Sequence, residues 1–377
     1  MKHIVIDARL YGPKHTGIGR YTKNLLKFLT LQSDFSEFKF TLIVYPELVT
    51  EIKKDLGKKF NYISTNIRHY SLKEQFCLPF IIYKLKPDLI HFVHFNKPMF
   101  YMGKSVVTIH DLIKHFFKGR LNTTKISIVY WIKHLSYLML TNSVIKNNDI
   151  IVPSDFWRDY LIKNFHVKPK KITTTHEAVD PTFISKTNQL KTPSSLLNRT
   201  PYIIYTGNLY PHKNVKVIIE ALKLLPDIKL KIICARNFFT EKVEKLVNKY
   251  NLKSQVEFLG YIPDQEFRNI YFNALALVHP SFMEGFSLTG LEAMALNCPV
   301  ISSNSSCLPE IYQDSVLYFD PNNSNDLVNQ IKKLKASPKL REKLIKLGHL
   351  QVNKYSWNST AQKTFTVYKN ILNDNRT

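Results

Sequence analysis

Four short segments of the chain carry groups suited to a phosphorylated substrate. The densest is residues 279–295, HPSFMEGFSLTGLEAMA. Its apolar run stops at Pro280, Gly285 marks a turn, and a helix is expected to open near Leu288. The unpaired amides of that first turn, at Leu288 and Thr289, make a ready seat for an anion. Glu284 falls in the turn and Glu292 in the helix, with seven residues between them. Two carboxylates would repel a diphosphate, so they suit hydroxyls, one on a sugar and one on a ribose. Taken singly, a capping acid and a helix-face acid would account for them equally well.

The second segment is residues 205–214, YTGNLYPHKN. Gly207 allows close backbone approach, and Lys213 stands near a helix start, where the macrodipole disfavours a cation unless an anion is nearby. The third, residues 106–112, VVTIHDL, ends a buried-type strand in His110 and Asp111. A histidine there can donate to a hydroxyl or carry a proton, although an isolated histidine is more often structural. His91, His94 and His115 have no helical ligand spacing, so no metal is expected. The fourth, residues 16–21, TGIGRY, places Gly17, Gly19 and Arg20 at a helix opening that suits an anion. It is neither a P-loop nor a full dinucleotide fingerprint, and a plain tight turn explains it as well.

These segments are positioned by short β-branched runs alternating with amphipathic stretches. Runs fall at 3–8, 40–45, 88–93, 105–109, 149–152 and 171–175, and again at 202–206, 228–234, 255–259, 274–279, 299–302 and 316–319. Helical patterns lie between them, among them 20–31, 72–85, 125–145 and 155–165, then 215–225, 241–250, 264–272, 288–295 and 324–334. This alternation predicts an α/β chain of two doubly wound parallel-sheet domains, with the polar stretch 185–195 joining them. Ligands of such sheets bind outside the strand carboxyl ends, so the expected site is a deep cleft between facing domains.

Composition narrows the partners. The 377 residues suit two domains, and 44% apolar residues suit a globular chain. Four scattered cysteines without a C-x-x-C pair argue against a zinc ribbon or a disulfide scaffold and for a reduced, cytoplasmic setting. The start, MKHIVIDARLYG, does not read as a signal peptide, and polar residues interrupt the longest apolar stretch. The net charge of +24 favours polyanions: nucleic acid, an anionic membrane or phosphorylated substrates. No nucleic-acid-binding signature supports the first. Lys114, Lys118, Arg120, Lys125 and Lys133, near Tyr130 and Trp131, are the candidate membrane patch, although 125–145 also reads as a core helix.

The segment 279–295, continued by NCPVISSN and LPEI, resembles the E-x7-E signature of glycosyltransferase family 4. The TGIGRY turn, the His-Asp pair, the 206–214 strand end, FLGY at 258–261 and YSW at 355–357 follow in family order. The chain looks most like the bacterial mannosyltransferase members that build surface polysaccharides, including lipopolysaccharide. The resemblance implies a GT-B fold: an acceptor-side Rossmann-like domain at 1–184, a linker at 185–200, a nucleotide-sugar donor domain at 201–353, and a C-terminal helix at 354–377 packing back towards the first domain. It implies a retaining hexosyltransferase with a nucleotide-diphosphate sugar as donor and a glycan or lipid-linked sugar as acceptor. Such an enzyme would work in the cytoplasm or on the inner face of the cytoplasmic membrane. Glu292 would hold the donor ribose, Glu284 with the backbone of Gly285, Phe286, Ser287 and Leu288 the donor sugar, and Lys213 with Leu288 and Thr289 the diphosphate. His110 would lie beside the transferred sugar, and Gly17 and Gly19 would close over it. Arg20 and Asp111 would reach phosphate or acceptor. Asn208 and His212 stand where many relatives carry arginine, which shifts leaving-group stabilisation onto Lys213 and Arg20. No Asp-x-Asp triplet occurs, so neither a metal nor another cofactor is expected. The competing readings are a GT-B epimerase or phosphorylase and a basic nucleic-acid-binding protein.

Overall fold

The structure, a computed structural model, describes residues 1–12, 15–118, 127–181, 200–235, 238–260 and 262–374. The chain divides into two units. The first comprises Met1–Leu112, Ile128–Glu177 and Ser356–Thr377; the second comprises Ile113–Ser127 and Ala178–Tyr355. The expected linker at 185–200 lies outside the described residues except for Thr200.

The first unit is built on seven strands: β1 (Lys2–Asp7), β2 (Phe38–Val44), β3 (Asn61–Ser64), β4 (Leu89–Phe92), β5 (Ser105–Thr108), β6 (Asp149–Val152) and β7 (Ile172–Thr174). They pair in parallel in the order β3-β2-β1-β4-β5-β6-β7. In β1 the successive residues Ile4, Val5 and Ile6 are all fully buried, which a strand needs when helices cover both sheet faces. Its helices are α1 (Thr16–Leu29), α2 (Val49–Leu56), α3 (Leu72–Leu85), α5 (Ser127–Asn147) and α6 (Asp155–Phe165); the short α4 (Ile113–Phe116) falls in the second unit. Strand order reverses between β1 and β4, so the crevice for a ligand opens beyond their carboxyl ends.

The second unit repeats the plan with β8 (Tyr202–Thr206), β9 (Lys229–Ile233), β10 (Val256–Phe258), β11 (Ala276–His279), β12 (Val300–Ser303) and β13 (Leu317–Phe319). Their order is β10-β9-β8-β11-β12-β13, again parallel, with the reversal between β8 and β11. Around them lie α7 (Val215–Leu222), α8 (Phe238–Lys249), α9 (Asp264–Asn273), α10 (Leu288–Ala295), α11 (Leu308–Tyr312), α12 (Ser324–Ala336) and α13 (Pro338–Val352). One apolar core joins Ile218 and Leu222 of α7, Ile203, Leu230, Val278 and Ile301 of the sheet, and Ile331 of α12.

The closing helix, α14 (Trp357–Asn373), belongs to the first unit. Ser356 caps it by accepting the Ser359 N–H, Trp357 packs on Tyr21 of α1, and Tyr368 meets His91 Nδ1 at 2.6 Å. Strand β3 and helices α2 and α13 are elements the periodicity did not announce. The edge strand NYIS is only half-buried and lacks an apolar run. Among the described residues no helix is long and apolar enough to cross a membrane.

Candidate active site

In the second unit the two densest sequence segments become neighbours because β8 and β11 are neighbours, with Ile204 opposite Leu277. Both leave the sheet at its carboxyl edge, at the reversal point. Gly207 ends β8 at φ +136°, a backbone state that side chains rarely adopt. The loops that follow are laced together: Phe282 N–H donates to His212 O at 2.8 Å, and Asn214 Nδ2 donates to Pro280 O at 3.2 Å and Pro321 O at 2.8 Å.

That lacing brings Lys213 against Glu284. The ammonium lies 2.7 and 2.8 Å from the two carboxylate oxygens, and His279 Nε2 is 3.0 Å from Oε1. Burial alone would raise the Glu284 carboxyl, but Lys213 and the His279 hydrogen bond hold it far below the usual carboxylate range. Neighbouring His212 is lowered to about 4 by burial and by Lys213, so it adds no positive charge at neutral pH. Lys213 is the cation of this pair.

Behind Glu284 stands a chain of hydrogen bonds that joins residues far apart in sequence. His279 Nδ1 is 2.9 Å from the Tyr312 hydroxyl, which lies 2.5 Å from Ser287 Oγ and accepts the Gly290 N–H at 3.2 Å. With Nε2–H donating to Glu284, Nδ1 accepts from a hydroxyl, that of Tyr312 or that of Ser287, whose Oγ lies 3.0 Å away. Ser287 sits at φ +82°, left-handed and costly for a non-glycine residue. Gly290 faces the Tyr312 ring so closely that a Cβ would lie 2.2 Å from its oxygen. Tyr312 thus fixes the turn that opens α10. Phe286 is buried against the Tyr355 ring, so its backbone rather than its side chain is offered to a ligand. Glu284 N–H donates to Ser306 Oγ at 3.1 Å and pins the same turn. Glu292, on α10, is buried as well. Asn208 follows Gly207 and is exposed, and its backbone oxygen accepts from Tyr205.

In the first unit His110 follows β5, its ring edge-on to Tyr21 at 4.7 Å. Nε2 lies 3.0 Å from Val93 O and Nδ1 3.2 Å from Glu177 Oε1. Both partners are acceptors, so they hold the ring in place from its two nitrogens. Glu177, just past β7, was not anticipated. The two glycines of the 16–21 turn differ. A Cβ on Gly19 would lie 1.9 Å from Gly12 O, whereas one on Gly17 would meet nothing within 4 Å. Packing demands Gly19 and does not demand Gly17. Arg20 is exposed and Asp111 half-buried. At the carboxyl end of β1, Arg9 is fully buried, donating to Asp7 at 2.8 and 2.6 Å and to Glu74 at 2.6 Å. Asp7, His69 and Glu74 are close enough to bind a metal, but their carboxylates clasp that guanidinium.

The "Glycosyltransferase Family 4" model matches residues 15–183, and the "Glycosyl transferases group 1" model matches residues 187–350. The chain is a glycosyltransferase of the family-4-like type. It is an enzyme, a hexosyltransferase. The O-antigen chain mannosyltransferase B of Escherichia coli is 27% identical over 375 residues, covering 94% of this chain and 96% of its own length. The sucrose-phosphate synthase of Thermosynechococcus elongatus superposes with a TM-score of 0.75 at 19% identity, over 98% of this chain and 99% of that one. Anabaena HepE, solved in complex with UDP-glucose, gives 0.70 at 14% identity over 98% and 100%. These likenesses show the GT-B fold.

Within this glycosyltransferase Asn208, Lys213, Glu284, Gly285, Phe286, Ser287, Leu288, Thr289 and Glu292 all sit on the loops and helix at the β8–β11 reversal. Gly17, Gly19, Arg20, His110 and Asp111 sit on the first unit, in the first turn of α1 and just beyond β5. What single segments could not reveal were the partners His279, Tyr312 and Glu177.

Proposed function

We propose that this enzyme transfers mannose, with retention, from a nucleotide-diphosphate sugar to a lipid-linked glycan during assembly of a bacterial surface polysaccharide, at the inner face of the cytoplasmic membrane. The O-antigen mannosyltransferases of Escherichia coli and Salmonella typhimurium among its relatives support the product class. The observation that carries the reading is the Lys213–Glu284–His279 constellation beside the amino end of α10. Amide dipoles and an ammonium converge there, as a departing diphosphate needs. Lys213 has a third N–H to offer a phosphate oxygen while it holds Glu284. Leu288 and Thr289 supply amides to the same charge, Glu292 accepts from the ribose, and Glu284 from a sugar hydroxyl. On the first unit, Gly17, Gly19 and His110 serve the transferred sugar, and Arg20 and Asp111 serve phosphate or acceptor.

A carboxylate paired with the Lys213 ammonium and hydrogen-bonded to His279 is a poor nucleophile. Retention therefore proceeds by front-face substitution: the glycosidic C–O bond to phosphate breaks, the acceptor oxygen bonds to the same face, and its proton passes to the leaving phosphate. Trapping a sugar–Glu284 adduct that turns over would overturn this route. Leaving-group charge is met by Lys213 and amides without a metal, so turnover is expected to survive EDTA. The deciding experiment is a thermal-shift screen with GDP-, UDP-, ADP- and dTDP-sugars. One donor raises the melting midpoint by mass action, and Glu292→Ala abolishes that rise. No shift with any donor would sink the reading.

A further inference from the structure

Among the described residues, a broad apolar surface of the first unit is left uncovered. The crossovers β3-to-β4 and β5-to-β6 run in the same direction along the sheet, so α3 and α5 lie on one face. Phe95 links them, with ring contacts to Tyr70 before α3 at 6.3 Å and to Tyr137 of α5 at 5.3 Å. The loop after β4 lies on α3: Phe100 stacks on Phe76 at 4.9 Å, and Met102 N–H donates to Tyr83 Oη at 3.0 Å. Outward from this joined surface point Leu72 (79% exposed), Phe80 (73%), Met102 (83%) and Trp131 (51%), with Phe76, Phe100 and Leu135 beside them. The α3 residues repeat at every fourth position, a single helical stripe. Contiguous apolar surface of this kind marks an interaction site.

The surrounding charge selects the partner. Lys73, Lys84, Lys104, Lys133 and Lys146 are exposed on these elements. In α3, residues 98–104 and α5 the only acidic side chain is Glu74, which is fully buried on Arg9. We propose that this face is the enzyme's seat on an anionic phospholipid bilayer. The α3–loop–α5 ridge enters the headgroup–acyl boundary, and the lysines hold lipid phosphates around it. Both elements are helices, whose backbone hydrogen bonds are made internally except where Pro79 of α3 lacks its N–H, so they tolerate that depth. A second copy is a poorer fit, since two faces ringed by lysine on a chain of net charge +24 repel each other. The surface differs from the basic patch expected from sequence. Of that patch only Lys133, with Tyr130 and Trp131, is on this face; Lys114 and Lys118 belong to the second unit, and Arg120 and Lys125 lie outside the described residues. Its purpose rests on the membrane-borne acceptor proposed above; the exposed ridge and its lysines do not.

The chain holds its own reporter. Of three tryptophans, Trp157 and Trp357 are buried and Trp131 stands on the ridge. Adding the full-length protein to phosphatidylcholine vesicles containing about one-third phosphatidylglycerol should shift its emission to the blue, and pure phosphatidylcholine should shift it far less. Trp131→Phe should abolish the shift while the protein still floats with the vesicles. The double variant Phe76→Ser/Phe80→Ser should weaken partitioning by about tenfold per ring removed, with near-UV circular dichroism unchanged. Unshifted emission with protein left in the supernatant would overturn the proposal. So would a lipid-free dimer in sedimentation that the double variant dissolves. Donor thermal shift, read in parallel, separates the two claims: a donor that binds without vesicle docking leaves the transferase reading standing, and docking without donor binding leaves only the surface.

Discussion

Lys213 holds Glu284 with two contacts of 2.7 and 2.8 Å, so its role at a leaving diphosphate must be separated from its role as that carboxylate's partner. Lys213→Ala leaves the buried Glu284 with His279 at 3.0 Å. Breaking a buried pair costs about 3–5 kcal/mol, and the partial exposure of Lys213 lowers this to about 2–3 kcal/mol. Glu284→Gln removes the charge while keeping the shape. In the Glu284→Gln background, Lys213→Ala should then cost under about 1 kcal/mol of stability, because the pair is already gone. Turnover should behave differently. A cation that meets charge developing on the leaving group is worth about 2–4 kcal/mol in the transition state, roughly 30- to 1,000-fold in kcat. That loss should appear in both backgrounds, with a modest change in donor affinity. The assay is a double-mutant cycle read twice, by thermal unfolding and by steady-state transfer from the donor found in the screen. If the double variant turns over as fast as Glu284→Gln alone, Lys213 serves only the carboxylate, and the leaving-group argument fails.

Gly17→Ala should leave the melting midpoint in place and reduce turnover, whereas Gly19→Ala, whose Cβ would lie 1.9 Å from Gly12 O, should destabilise the first unit; equal melting losses would refute the distinction. Tyr312→Phe keeps the ring against Gly290 but strips partners from His279, Ser287 and the Gly290 N–H. It should cost about 1–3 kcal/mol and lower kcat more than donor affinity; wild-type kinetics would show that Tyr312 positions nothing. Burial lowers His69 and His212 from 6.5 to about 4. The unfolded chain therefore takes up protons that the native state refuses, so stability is intact above pH 6.5 and falls as pH drops towards 4. Melting midpoints that stay level across that interval would contradict neutral buried rings.

Much of the architecture is written locally. The runs at 3–8 and 202–206 are continuous β-branched stretches, and such stretches alternating with amphipathic ones determine two parallel α/β sheets whatever their order in space. The turn and helix opening of 279–295 were legible too, since glycine placement and helix periodicity act over a few residues. Strand order was not. Lys213 and Glu284 are 71 positions apart, and they meet because β8 lies beside β11 rather than beside the strand that follows β12. Tyr312 reaches Ser287, and Glu177 reaches His110, through the same kind of nonlocal placement. The apolar stretch of α3 shows the limit from the other side. LKEQFCLPFIIYKL is hydrophobic around most of its circumference, so composition could not say which face the sheet would cover. Only the packing of that helix left Leu72, Phe76 and Phe80 to solvent, because burial belongs to the neighbours a side chain finds and not to the side chain alone.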